Sequence, residues 1–294
     1  MAFGLERIDW SQPWFSQWRE LGTLASELVT THGSVCSALN VVNCEDAKIE
    51  SDTVGTQTQL IRQLEQASAA ITIGTGTSSG FSTTTSTRCA LKFVPQIELP
   101  SEQAYEAFIF DNKRIPTREN LHDFLNGLCW LRFPNTKSRL NYLQAKEIAK
   151  QGVGATRGSL RDALTLFDEN VLLLQASGHL WHALQARDWK KLFIDFRHEW
   201  QSAHTVLFGH ALSEKLVAPY KSITAHVYRI ASDVDAKDDQ ALDYWLATNL
   251  QPTYLATKPF LPLPVLGIPG WWPDNEDSDF YADTQVFRLA GNRL

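Results

Sequence analysis

Residues 257–273 carry five prolines, two glycines and the pair Trp271-Trp272 within seventeen positions. Each proline fixes φ and removes a backbone donor. Each also restricts the residue before it. The stretch therefore cannot be a regular helix or a central strand. It is also too apolar for a solvated linker, with Leu263, Val265, Leu266 and Ile268 set among the prolines. The composition predicts an ordered irregular wrap laid over a core. Leu263, Val265, Leu266 and one of Trp271 or Trp272 are its expected buried side chains.

The chain under that wrap reads as helices mixed with short strands. Leu121, Phe124, Leu125, Leu128 and Leu131 recur at helical spacing, which predicts a helix over 117–132 with Thr117 near its cap. Pro134 ends it, and a second helix is expected from about 136 to 150, stopping near Gly152. Further helices are expected over 179–201, 211–217 and 238–249. The run 224–230 alternates like a strand. Ala107 to Phe110 is a short apolar run closed by a turn signal at 111–113. The apolar runs 163–167 and 171–174 flank Asp168-Glu169-Asn170 and read as a tight hairpin. Separate helices and strands of this kind indicate α+β. The expected architecture is mixed helices around a small, mainly antiparallel sheet, with the Pro/Trp-rich segment as a C-terminal wrap. Residues 1–89 read as an N-terminal extension containing a Ser/Thr/Gly-rich tract at 72–87, and 90–294 as the core domain.

Charge narrows the function. The chain has 33 acidic and 27 basic side chains, a formal charge of −6. No strong, general grip on nucleic acid is expected from that balance. Any local groove would draw on Lys137, Arg139, Arg187, Lys190, Lys191 and Trp189. No stretch approaches a membrane span. The first ten residues carry charges where a secretory leader would be apolar, so a cytoplasmic location is expected. Cys36, Cys44, Cys89 and Cys129 form no C-x-x-C pair and show no zinc-ligand spacing.

Three groups of residues have the chemistry for a site. Arg118, His122, Asn126 and Trp130 stand four apart and form one stripe, with Asp123 beside it. One reading makes His122 a general base or ligand assisted by Asp123 or Asn126. The other makes the group an N-terminal capping network. His210 and Glu214, at i and i+4, point the same way on a helix and form a possible metal pair, without the second histidine of a zinc-hydrolase motif. His226 on the following strand can converge with them if strand and helix pack together. The alternative is a His–Glu bond holding helix to strand. Asp168, Glu169 and Asn170 read as turn residues before they read as cation ligands. Arg157, in the glycine-rich connection 152–158, is a weak candidate for an anion.

These segments also resemble a known family. The residues are Pro116-Thr-Arg118-Glu-Asn-Leu-His122-Asp123-Phe-Leu-Asn126, Trp130-x-x-Phe133-Pro134-x-x-Lys137-x-x-x-Asn141, Arg161-Asp162 through Asn170, Arg187-Asp188-Trp189, Gly209-His210, Ile223 to His226 and the proline–tryptophan wrap. Together they resemble a bacterial family of uncharacterised function, number 3025, over roughly residues 90–290. The resemblance implies membership and a bacterial source, and no reaction. It draws attention to Lys137, Asn141, Asp168 and Glu169 beside His122, Asp123, Asn126, His210, Glu214 and His226. Buried polar side chains in apolar segments cost free energy unless paired. The expectation is therefore a hydrolase, metal-dependent or not, with His122, Asp123, Asn126 and His226 as catalytic candidates. His210 and Glu214 are the candidate ligands of a divalent metal. The contrasting expectation is a non-enzymatic binding or scaffold protein that docks a protein partner on its Pro/Trp-rich surface.

Overall fold

A computed structural model describes residues 3–50, 91–152 and 158–289. The Ser/Thr/Gly-rich tract at 72–87, Cys89 and Arg157 lie outside the described residues. The elements are α1 (Arg19–His32), α2 (Val35–Glu50), β1 (Lys92–Pro95), α3 (Tyr105–Asn112), β2 (Arg114–Thr117), α4 (Leu121–Arg132), α5 (Pro134–Gln151), α6 (Ser159–Asn170), β3 (Val171–Gln175), α7 (Gly178–Ala186), β4 (His204–Leu207), α8 (His210–Lys215), β5 (Thr224–Arg229), α9 (Asp239–Asn249), α10 (Pro252–Leu255) and β6 (Leu261–Pro264). The fold is α+β. Among the described residues no helix is long and apolar enough to cross a membrane.

The main sheet has the order β4-β3-β5-β6. Strand β3 pairs antiparallel with β4 but parallel with β5, and β5 pairs antiparallel with β6. The sheet is therefore mixed, not mainly antiparallel. A separate parallel pair joins β1 to β2. The correction follows from the supposed hairpin. Residues 163–167 are helical, inside α6, and only 171–175 form a strand. A short apolar run fits strand or buried helix equally well by periodicity. Here Ala163, Leu164 and Phe167 all face the core at helical spacing. Residues 107–110 are helical too, inside α3, with Lys113 ending the helix at φ 56°. The stretch 179–201 is not one helix. It breaks at Arg187, in the left-handed region at φ 51°, then continues as a π-helical turn at Lys191–Asp195 and a 3-10 turn at Arg197–Gln201.

The wrap behaves as its composition requires. Its prolines Pro262 and Pro264 sit on β6, the edge strand, where a missing donor costs least. Leu263, Val265, Leu266 and Trp271 are buried, while Trp272 is half-buried. Irregular buried backbone must find partners. Asn275 supplies them, donating through Nδ2 to the carbonyls of Leu266 (2.8 Å) and Ile268 (2.7 Å). The Tyr281 hydroxyl donates to Gly267 O at 2.9 Å.

Residues before 50 join the same core through Trp14, Phe15, Trp18, Val29, Leu39 and Val42. Two side-chain amides tie them to strand backbone. Asn40 donates to Phe93 O (2.8 Å) and accepts from Phe93 N (3.0 Å). Gln17 does the same at Leu207 on the edge strand β4, at 3.1 and 3.2 Å. Both use an amide as a short extra rung on an otherwise open edge.

Candidate functional site

Helices α4, α5, α6 and α8 meet beside the end of β3 and bring one polar network together. Its position begins with caps. Asn120 caps α4 by accepting from Asp123 N at 2.8 Å, so the cap is three residues later than Thr117. Helix α5 starts with Pro134 and has no cap of its own. Asp243 on α9 takes that role, accepting from Asn135 N (2.9 Å) and Thr136 N (2.7 Å). This sets the register that buries Lys137. Gly209 sets α8. A Cβ there would stand 2.5 Å from Glu169 O and 2.6 Å from Asn170 N, so only glycine lets α8 start against the end of α6.

His122 Nδ1 lies 2.7 Å from Glu214 Oε2. A carboxylate oxygen accepts, so Nδ1 carries the proton and Nε2 presents a lone pair. The His122 ring stands edge-on to His210, with centroids 4.7 Å apart. His210 Nδ1 lies 2.8 Å from the Asp168 carbonyl, which fixes the same tautomer. Neither Nε2 has a hydrogen bond to the described residues. His210 is buried, while the His122 and Glu214 side chains are 34% and 40% exposed. Burial pushes the His210 imidazole down to about 4. It is a neutral acceptor at ordinary pH.

Below the histidines lies a buried cation. The Lys137 ammonium, 3% exposed, donates to Asn126 Oδ1 at 2.8 Å and forms an ion pair with Asp168 Oδ1. It also sits 5.3 Å from the Trp130 ring centroid. Burial alone would raise the Asp168 carboxyl. Lys137, with His210 and His122 adding, outweighs it and holds Asp168 below the usual carboxylate range. Asn126 extends the network by donating through Nδ2 to the Tyr105 hydroxyl at 3.3 Å. Burial, reinforced by the charges of Asp123 and Asp168, pushes the Tyr105 phenol up, so it keeps its proton.

Of the residues marked from sequence, His122, Asn126, His210 and Glu214 come together here. Asp123 does not orient His122. It is buried, accepts from Arg118 N at 2.6 Å and pairs with the Arg118 guanidinium at 2.8 Å. Adjacent residues on a helix do not face each other. His226 lies apart on β5, opposite Val171, with its ring against Phe260 and its Nδ1 buried without a partner among the described residues. No set of three or more His, Cys, Asp or Glu among the described residues is arranged to hold a metal. Asp168, read as a turn residue, closes the last turn of α6 and belongs to the network. Tyr105 was marked by no motif. The Lys137 signal was present in Phe133-Pro134-x-x-Lys137-x-x-x-Asn141, which sets a lysine and an asparagine on the inner side of α5. Asn141 uses that position to donate to Glu106 O at 2.8 Å. The basic groove pictured from sequence does not form. Lys137 is buried, and Lys190 and Lys191 pair with Asp195 and Asp188. A cleft of 580 Å³ opens elsewhere, between the 3-10 turn at 197–201 and the wrap, lined by His198, Trp200, Gln201 and the Arg197–Glu276 ion pair.

A family model described as a protein of unknown function (DUF3025) matches residues 91–290, which contain every element of this site. Comparison with curated proteins and with solved structures returns no match.

Proposed function

We propose that this chain, which belongs to the DUF3025 family, is a hydrolase that works by general acid–base catalysis at His122. The observation that carries the reading is the His122–Glu214 pair, 2.7 Å apart and partly open to solvent, standing on the buried His210 and Lys137 and the partly buried Asp168. An exposed ion pair is worth only about 0–1 kcal/mol to stability. That is a weak reason to set a carboxylate and an imidazole on a costly buried network. An acid–base role is a better one.

In this reading Glu214 holds the His122 ring and stabilises its charged form. His122 Nε2 takes a proton from the attacking water as the water oxygen bonds to the electrophilic centre. The imidazolium returns that proton to the leaving group as its bond breaks. The Tyr105 phenol, which keeps its proton, is a hydrogen-bond donor suited to a developing oxyanion. Burial keeps His210 neutral, and the Lys137–Asp168 pair holds the helices in register. A metal-assisted version, with His210 and Glu214 as ligands, has less support, because the described residues bring no third His, Cys, Asp or Glu into position to complete a metal site. His226 is left outside this mechanism.

The test is a panel of carboxylic-ester, amide and phosphodiester substrates offered to the wild type, His122→Asn and Glu214→Gln. Turnover that falls on the order of 100-fold or more in both variants, with melting temperature nearly unchanged, supports the reading. Turnover equal in all three refutes it. So does a panel without turnover combined with a large loss of melting temperature in both variants, the outcome a scaffold protein predicts.

A further inference from the structure

The outer face of α3 and α5 carries a second constellation. Phe110 and Tyr142 stand with ring centroids 5.7 Å apart and planes at 52°. Phe110 is 37% exposed, an unusual amount for a large apolar ring. Three cations surround the two rings. Lys113 Nζ is 4.8 Å from the Phe110 centroid, and Arg139 Cζ and Lys146 Nζ are 5.8 and 5.5 Å from that of Tyr142. Lys113 is held there by the left-handed turn that ends α3.

None of these cations has a carboxylate at ion-pair distance among the described residues. Lys146 donates to the Tyr142 hydroxyl at 3.3 Å. Arg139 has one long hydrogen bond, 3.4 Å to Leu250 O, and its Nε is buried without a partner. The nearest acids in sequence are engaged elsewhere, Asp111 by Gln103 and Glu147 by Lys150. Burial pushes the Arg139 guanidinium down, outweighing the opposing influence of the Tyr142 phenol. A half-buried, unneutralised guanidinium is a position that an anion would stabilise.

We propose that this face binds single-stranded nucleic acid, weakly and locally, with bases stacked on Phe110 and Tyr142 and phosphates held by Lys113, Arg139 and Lys146. The rings choose among anions. Unpaired bases offer π-faces, which a duplex keeps inside its stack and an acidic peptide lacks. The surface is open, so it suits an extended strand passing over it rather than a small nucleotide that needs enclosure. Three cations set a ceiling on the salt dependence. At about 0.7 counterions per neutralised phosphate on a single strand, log Kobs against log salt should slope at about −2. The overall charge of −6 opposes longer-range attraction, which keeps the binding weak and local.

The experiment is fluorescence anisotropy of the full chain with a labelled oligothymidylate at low salt. A labelled duplex, heparin and poly-glutamate serve as competitors. The expected result is saturable binding that weakens roughly a hundredfold for a roughly tenfold rise in salt. Phe110→Ala with Tyr142→Ala should weaken it roughly tenfold or more, and Lys113→Glu with Lys146→Glu should abolish it. Phe110→Leu with Tyr142→Leu keeps apolar volume without the π-faces and replaces the alanine pair if that fails to fold. Absence of binding overturns the proposal. So does binding unchanged by loss of the rings, and so does competition by heparin, poly-glutamate or duplex as effective as by the single strand.

Discussion

His210 gives the network a measurable signature in the pH dependence of folding. Its imidazole is buried, and burial pushes it down to about 4 from an ordinary value of 6.5. The unfolded chain therefore binds a proton at this residue between pH 6.5 and 4, and the folded chain does not. Stability must rise with pH across that window and be lost as pH falls through it. At 1.36 kcal/mol per unit, the full shift is worth on the order of 3 kcal/mol. About 1 kcal/mol of this should already be gone at pH 5.5. His204 and His226 are also pushed down by burial and add loss in the same direction. Asp168 contributes in a different window. Its carboxyl is held below 3.8, so its share disappears only below that value. His210→Gln separates these effects, because its amide can donate to the Asp168 carbonyl but does not titrate. Urea unfolding of both proteins from pH 7 to pH 4.5 is the assay. The variant is expected to be less stable at pH 7 and to lose less stability on acidification, so that the two curves converge. Parallel curves would refute the buried, neutral histidine and with it the tautomer assigned to the site.

Other perturbations test the supports. Lys137→Met leaves the Asp168 carboxylate, 20% exposed, without its cation and should cost about 2–3 kcal/mol in chemical denaturation, whereas Lys137→Met with Asp168→Asn should cost clearly less. Gly209→Ala drives a Cβ into the backbone of Glu169 and Asn170, which cannot yield as a side-chain tip would, and should destabilise by about 2 kcal/mol or more. Asp243→Ala removes the cap that α9 lends to α5 and leaves two backbone donors unpaired, a loss of about 1–3 kcal/mol readable as a lower melting temperature.

What the sequence disclosed and what it hid divide along physical lines. The wrap was legible because proline and glycine act locally. Packed as densely as they are over 257–273, they exclude helix and central strand, and the apolar residues between them exclude solvent. Helices α4, α5 and α9 were legible because their apolar stripes span three or more turns. Helix α6 was misread because its inner face is short and its last turn, Asp168-Glu169-Asn170, has turn-like composition. The same composition hides Asp168, whose carboxylate pairs with the Lys137 ammonium inside the network.

The misassignment at His122 has a different origin. A sequence offers a histidine its nearest acid, and Asp123 is adjacent. On a helix, however, the neighbour points elsewhere, and Asp123 serves Arg118 instead. The partner that matters, Glu214, is 92 residues away and reaches His122 only because α8 packs on α4. The packing depends on Gly209, and Gly209 depends on where α6 ends. The chemistry at His122 is thus decided by a backbone contact that no spacing rule encodes. The residues in it were recognisable one by one as polar side chains in apolar company, and the fold alone assigned them to each other.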